Sequence, residues 1–157
     1  MPARRLLGLL AGTALAASSL GCGAPDQEQD ATDKATAVVR EKAERSRQAM
    51  SNALADPSAP RQEALLGAVA ELVESGERNG FVFGRRSEPG DRIWLDVAFD
   101  GTGNAGGLAP AEVTVRLCVR FSGTRSAQPE VTMSDTACDT GLDRKLGQAD
   151  TTVGLRQ

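Results

Sequence analysis

Hydrophobic and polar residues alternate along two long segments in the second half of the chain. In "DRIWLDVAFD" at 91–100, one face carries every second side chain and is apolar: Ile93, Leu95, Val97 and Phe99. In "AEVTVRLCVRF" at 111–121, the same alternation gives Val113, Val115, Leu117, Val119 and Phe121. A period of two is typical of a strand with one buried face, so both segments are predicted to be β-strands.

Placing Leu95 opposite Leu117 in an antiparallel pair aligns the apolar residues of the two segments. A shorter strand is predicted to start with "FVF" at 81–83, and another is predicted at "EVTMS", 130–134. Between the strand that starts at 81–83 and the long strand at 91–100, "SEPG" at 87–90 has the composition of a turn. The pattern therefore predicts an antiparallel β-meander of three to four strands.

The first half of the chain has helical periodicity. Thr32 is a candidate N-cap for a weakly amphipathic helix that continues to about Ala55. A second helix is predicted to begin near Pro60 and to end at Gly76. Its apolar stripe recurs at helical spacing: Leu65, Val69, Leu72 and Val73.

Together these elements predict an α+β domain with two N-terminal helices, a meander, and a helix packed on the sheet. This architecture resembles cystatin-like folds, a similarity of arrangement that carries no function. The domain is predicted to span residues 32–157, with a tail after Gly141 that is polar and has no clear periodicity.

The N-terminus has a different pattern. Basic "MPARR" precedes fifteen uncharged residues, and small residues follow before Cys22. This order is typical of a secretory signal peptide, and the uncharged run is shorter than the roughly 20 residues that a membrane span needs. Residues 1–21 are therefore predicted to be a signal peptide.

The stretch "SSLGC" at 18–22 resembles a bacterial lipobox, in which a signal peptidase cuts before a cysteine that is diacylated. The resemblance implies that Cys22 is lipidated and that the protein is anchored on the extracytoplasmic face of the cell membrane. The alternative is ordinary cleavage near "ALAAS", which would leave Cys22 as a free thiol. Residues 22–31 lack apolar periodicity and are predicted to form a polar, lipidated tether.

Charge and composition exclude several function classes. Without the two arginines of the first 21 residues, the remaining 136 residues hold 16 Lys and Arg against 21 Asp and Glu, a net charge of −5. An acidic chain argues against nucleic acid as a partner. The chain has no histidine, which excludes Ser-His and Cys-His catalysis and His-based zinc sites.

The motif "GTGNAG" at 101–106 has the spacing of a dinucleotide-binding loop, but a strand pattern follows it where a helix is required. It is predicted to be a flexible hairpin loop. Asp100, Thr102 and Asn104 alternate as in a calcium loop, but Ala111 stands where the bidentate glutamate belongs. We therefore expect no cofactor and no metal.

Cys118 and Cys138 lack metal-binding spacing and are predicted to form a disulfide, as expected outside the cytoplasm. The polar face of the two long strands is a candidate binding surface. The predicted register sets Trp94 opposite Cys118 and Asp96 opposite Arg116, so Trp94 could simply pack on the disulfide. Alternatively, this face recognises a partner; its candidate residues are Arg92, Trp94, Asp96, Arg116 and Arg120.

The segment "VRLCVRF…VTMSDTAC" is similar to small lipoproteins of GC-rich Gram-positive bacteria. The sequence as a whole predicts a non-enzymatic binding or structural role at the membrane, with an envelope protein or ligand as the partner. Two alternatives stay open, a cell-envelope hydrolase that uses carboxylates and a cystatin-like inhibitor.

Overall fold

The computed structural model describes residues 24–59, 63–106 and 110–156; Cys22 and the predicted signal peptide lie outside them. The fold is α+β, with two helices, a sheet and a short third helix late in the chain. The elements are α1 (Ala24–Ala55), α2 (Glu63–Glu74), β1 (Phe81–Glu88), β2 (Arg92–Ala105), β3 (Ala111–Thr124), β4 (Thr132–Asp135), α3 (Leu142–Leu146) and β5 (Thr151–Val153).

Helix α1 begins at Ala24, eight residues before the predicted start at Thr32. Residues 24–31, predicted to belong to the tether, are helical, and Ala31 is completely buried. The prediction failed there because one small residue per turn is enough to pack a helix closely, and such a stripe has little hydrophobic signal. The buried stripe continues along the helix through Ala35, Val39, Ala43, Ser46, Met50 and Leu54.

The sheet has the order β1-β2-β3-β4, and each of these neighbours pairs antiparallel. The three-residue strand β5 pairs with β3 in parallel, along the same edge as β4. The sheet is therefore mixed, and the prediction of a purely antiparallel meander is wrong. The helices do not all precede the sheet either, because α3 lies between β4 and β5.

The pairing of β2 with β3 differs from the predicted register by four residues. Leu95 lies opposite Phe121, not Leu117, and the last pair before the connection is Ala105 with Ala111. A slip of four residues keeps each side chain on its predicted face, so the core is the one expected. Phe99 and Phe121 meet there edge to face, with ring centroids 6.2 Å apart.

The "GTGNAG" segment is predicted to be a loop, but its residues up to Ala105 belong to strand β2. The longer strand is the reason that the observed register differs from the predicted one. Gly101 and Gly103 lie on the inner face, directly beneath α1. A Cβ atom on Gly103 would come within 1.9 Å of the Ala31 carbonyl oxygen, so only glycine lets the helix backbone approach so closely. With these residues in the strand, the connection between β2 and β3 begins at Gly106.

The chain after Gly141 packs against the sheet. Asp150 and Thr114 are joined twice, because the Thr114 N–H donates to the Asp150 carboxylate at 2.7 Å and the Asp150 N–H donates to the Thr114 carbonyl at 2.9 Å. The Leu155 N–H donates to the carboxylate of Asp135 in β4. These contacts attach the tail that the sequence left without a predicted structure.

The close approach of α1 to β2 predicts that Gly103→Ala is strongly destabilising. The new methyl group would overlap helix backbone, which cannot rotate away, so we expect a loss of about 3 kcal/mol in the free energy of unfolding. Gly106→Ala is the matched control, because a Cβ there meets nothing within 4 Å; it should change stability by no more than about 0.5 kcal/mol. Urea denaturation of both variants measures the difference, and equal midpoints would contradict the packing described.

Candidate functional site

The face of the sheet opposite α1 contains the five residues predicted as a binding surface. We call this the outer face: it comprises the side chains of β2 and β3 that alternate with the core positions. The residues on it are not equivalent. Arg92 and Arg120 are exposed and Trp94 is half-buried, whereas Asp96 and Arg116 are buried.

Arg116 lies at the centre of a buried ion cluster. Its guanidinium donates two hydrogen bonds to the carboxylate of Asp100, both 2.7 Å long. It also donates to Asp143 at the start of α3 and to the carbonyl oxygen of Gly147. The hydrogen bonds and charges of Asp100 first, and of Asp143 second, raise the pKa of Arg116 above its ordinary value, so the group stays charged.

The predicted pair of Asp96 with Arg116 is therefore wrong, because the slip in register gives each residue a different partner. Asp96 lies opposite Arg120, and Asp100 lies opposite Arg116. Arg116 holds α3 to the sheet. It belongs to the structural part of the outer face rather than to an open binding surface.

Cys118 and Cys138 form the predicted disulfide, with Cα atoms 5.4 Å apart. The residue opposite Cys118 is Ala98, not Trp94, so the predicted packing of Trp94 on the disulfide is wrong. Leu142 of α3 covers Ala98 and Cys118 in a small second core. Phe81, Phe83 and Cys138 pack around this core.

A β-bulge in β1 contributes to this second core. The pairing of β1 with β2 shifts between Val82 and Gly84, so Phe83 has no partner in the register. Phe81 and Phe83, two residues apart, both pack against this cluster, and the extra residue moves the positions after Phe83 to the opposite alternation. The bulge also brings Gly84 opposite Asp96.

Trp94 lies between two arginines at the open end of the outer face. The Arg120 guanidinium carbon is 4.5 Å from the indole centroid, and that of Arg86 is 6.0 Å from it. Arg120 also donates two hydrogen bonds, 2.6 and 2.7 Å long, to the carboxylate of Asp96. We call these four residues, Arg86, Trp94, Asp96 and Arg120, the Trp94 cluster.

The carboxylate of Asp96 occupies the space beside Gly84, the residue opposite it on β1. A Cβ atom on Gly84 would lie 2.8 Å from Oδ2 of Asp96, so glycine leaves the space that the carboxylate occupies. The carboxylate fixes the plane of the Arg120 guanidinium, and its hydrogen bonds raise the pKa of Arg120. A paired, bidentate guanidinium beside an aromatic ring is a rigid arrangement.

Arg92 lies beyond Trp94 and lines an open groove of about 390 Å³ between β2, β3 and the segment before β4. Hydroxyl side chains and Glu130 are among the residues that line this groove, and the hydroxyl oxygens of Ser122 and Thr132 are 3.2 Å apart. The Trp94 cluster and this groove together form a continuous polar surface on the outer face.

Within residues 24–59, 63–106 and 110–156, no three His, Cys, Asp or Glu side chains come together as a metal site. Asp100, part of the candidate calcium pattern, is bound to Arg116 instead. No helix in the described part of the chain is long and apolar enough to cross a membrane.

Three contributors to the outer face were missed at the level of sequence. Arg86 joins Trp94 because β1 extends to Glu88, beyond the predicted "FVF". Asp100 and Asp143 were missed as partners of Arg116 because one depends on the register and the other on α3. The only sequence signal for Asp143 is an acidic residue in the first turn of a five-residue helix.

Comparisons with protein-family models, curated proteins and solved structures gave no match. The functional argument therefore rests on the sequence of this chain and on the geometry of its described residues.

The Arg116 cluster predicts unequal effects for two substitutions that touch the same guanidinium. Asp100→Asn removes the bidentate charge partner of the buried Arg116 from a side chain that is 25 % exposed, and it should cost about 3 kcal/mol. Asp143→Asn removes a contact of the same 2.7 Å length from a side chain that is 66 % exposed, and it should cost under about 1 kcal/mol. The denaturant midpoints of the two variants measure the difference. Equal losses of stability would mean that burial of the acid does not set the strength of its ion pair with Arg116.

Proposed function

We propose that this protein is a lipid-anchored, extracytoplasmic protein of the cell envelope with a non-enzymatic binding role. The observation that carries the proposal is the N-terminal order of basic residues, a short uncharged run, and Cys22 after Gly21. A cysteine in this position is the acceptor in the lipoproteins that the segment resembles. Two or more acyl chains would hold the protein stably at a membrane.

The disulfide supports an extracytoplasmic location. Disulfides persist in oxidising compartments and are rare in the cytosol, where thiols are kept reduced. Cys118 and Cys138 use each other, so lipidation of Cys22 would account for the third and last cysteine of the chain.

A binding role agrees better with the outer face than hydrolysis by carboxylates does. Asp96 and Asp100 are the two acids nearest the middle of this face, and each accepts both hydrogen bonds of a bidentate arginine. A carboxylate whose two oxygens are both held by one guanidinium is not placed to act on a substrate as a general acid. The open guanidinium and indole groups of the Trp94 cluster instead resemble the anchors of recognition surfaces.

The proposal predicts that Cys22→Ala releases the protein from the membrane fraction or leaves its signal segment uncleaved. Wild-type protein should fractionate with membranes, and its intact mass should exceed that of the chain beginning at Cys22 by the mass of acyl groups. A Cys118→Ala/Cys138→Ala double variant is the control, because it removes two cysteines and should retain the acyl mass. A mature wild-type N-terminus without acyl mass would overturn the proposal.

A further inference from the structure

Two of the three arginines around Trp94 have no carboxylate partner, a condition that Arg144 and Arg156 share elsewhere in the described part of the chain. Arg47 and Arg116, by contrast, donate to carboxylates. Arg86 and Arg92 make no hydrogen bond or ion pair with any described residue, and Glu88, opposite Arg92 in the sheet, forms no ion pair with it. These two exposed positive charges therefore form no ion pair with a described residue, although Glu130 lines the same groove as Arg92 and Glu63 lines a cavity beside Arg86.

The third arginine of this area is only partly engaged. Arg120 uses Nε and Nη2 to bind Asp96, and its Nη1 donors have no partner among the described residues. The indole of Trp94 supports both Arg86 and Arg120 through cation–π contacts, which hold the cations without neutralising them. The arrangement presents pre-oriented guanidinium donors to the solvent.

This area lies far from the end of the chain that would carry the anchor. Helix α1 starts two residues after Cys22, and Ala31 packs on Gly103 while Leu54 packs near Gly123 at the other end of the sheet. Nine strand residues separate Gly103 from Trp94, about 30 Å, and seven helical residues separate Ala31 from Ala24, about 10 Å. An anchor at Cys22 would therefore place Trp94 roughly 40 Å from the point of attachment.

We propose that the Trp94 cluster, together with Arg92 and the adjoining groove, binds an anionic glycan of the cell envelope. Arginine matches carboxylate and phosphate groups through paired hydrogen bonds, and hydroxyl groups such as those of Ser122 and Thr132 match sugars. The groove is open rather than enclosed, which suits an extended polymer. The choice of an envelope glycan over the anchoring membrane rests on the proposed function, because the anchor directs this area away from the bilayer.

Trp94 is the only tryptophan of the chain, so its emission reports on this area directly. The test titrates the full-length protein, purified in detergent from membranes, with polygalacturonate as an anionic glycan and with dextran as a neutral one. We expect polygalacturonate, but not dextran, to change the Trp94 emission and to co-elute with the protein on a sizing column. Raising the salt concentration from about 50 to about 200 mM should weaken binding at least fivefold, because salt screens the attraction between the arginines and the glycan.

Arg86→Gln/Arg92→Gln should weaken binding at least tenfold. Arg144→Gln/Arg156→Gln is the matched control, because both residues are exposed, lack partners in the described part of the chain, and carry the same charge. It should change the affinity less than twofold. Thermal unfolding of all variants checks that each is folded.

Equal weakening by both double variants would overturn the proposal, since it would show attraction by net charge alone. No binding to polygalacturonate, or binding only to phosphatidylglycerol vesicles, would overturn it as well. Intact mass measured on the same preparation separates the two claims. An acylated protein that fails to bind refutes this inference alone, and a protein that binds without acylation refutes the anchor alone.

Discussion

The antiparallel pairing of β2 with β3 is the constraint on which the rest of the structure depends. Each strand has fourteen residues, and their ladder runs from Arg92 opposite Thr124 to Ala105 opposite Ala111. This one register builds the apolar row beneath α1 and, on the other side, sets Asp96 opposite Arg120 and Asp100 opposite Arg116. The core and the outer face are therefore two consequences of a single alignment.

The two arginine–aspartate pairs have the same geometry but different surroundings: Arg116 is buried, whereas Arg120 is open to solvent. Arg116 is enclosed by α3, and Asp100, Asp143 and Gly147 accept hydrogen bonds from four of its five N–H donors. A buried charge of this kind is costly to leave unpaired, so its role is to attach the late part of the chain. Arg120 is open to solvent and is supported by an indole ring, so its remaining donors can serve a partner.

The alternation of apolar residues predicted both long strands and the face on which each side chain lies. It could not predict the register, because a slip of four residues places one apolar row against another equally well. The register depends on Gly101 and Gly103, which belong to β2. Glycines at these positions predict a loop unless it is known that a helix packs on them. The three-residue strand β5 and the helical residues before Thr32 have too few apolar residues to produce a periodic signal. Arg86 reaches the outer face because β1 extends to Glu88, and Asp143 reaches it because α3 packs there. The apolar pattern predicts neither feature.

A pair of double-mutant cycles tests the register most directly, and with it the separation of the outer face into a buried structural part and the solvent-exposed part proposed to bind a ligand. One cycle combines Asp96→Asn with Arg120→Gln, and the other combines Asp96→Asn with Arg116→Gln, each followed by urea denaturation. The structure predicts a coupling energy on the order of 1 kcal/mol between Asp96 and Arg120 and a coupling near zero between Asp96 and Arg116. Coupling of Asp96 to Arg116 but not to Arg120 would contradict the register and remove the basis of the Trp94 cluster.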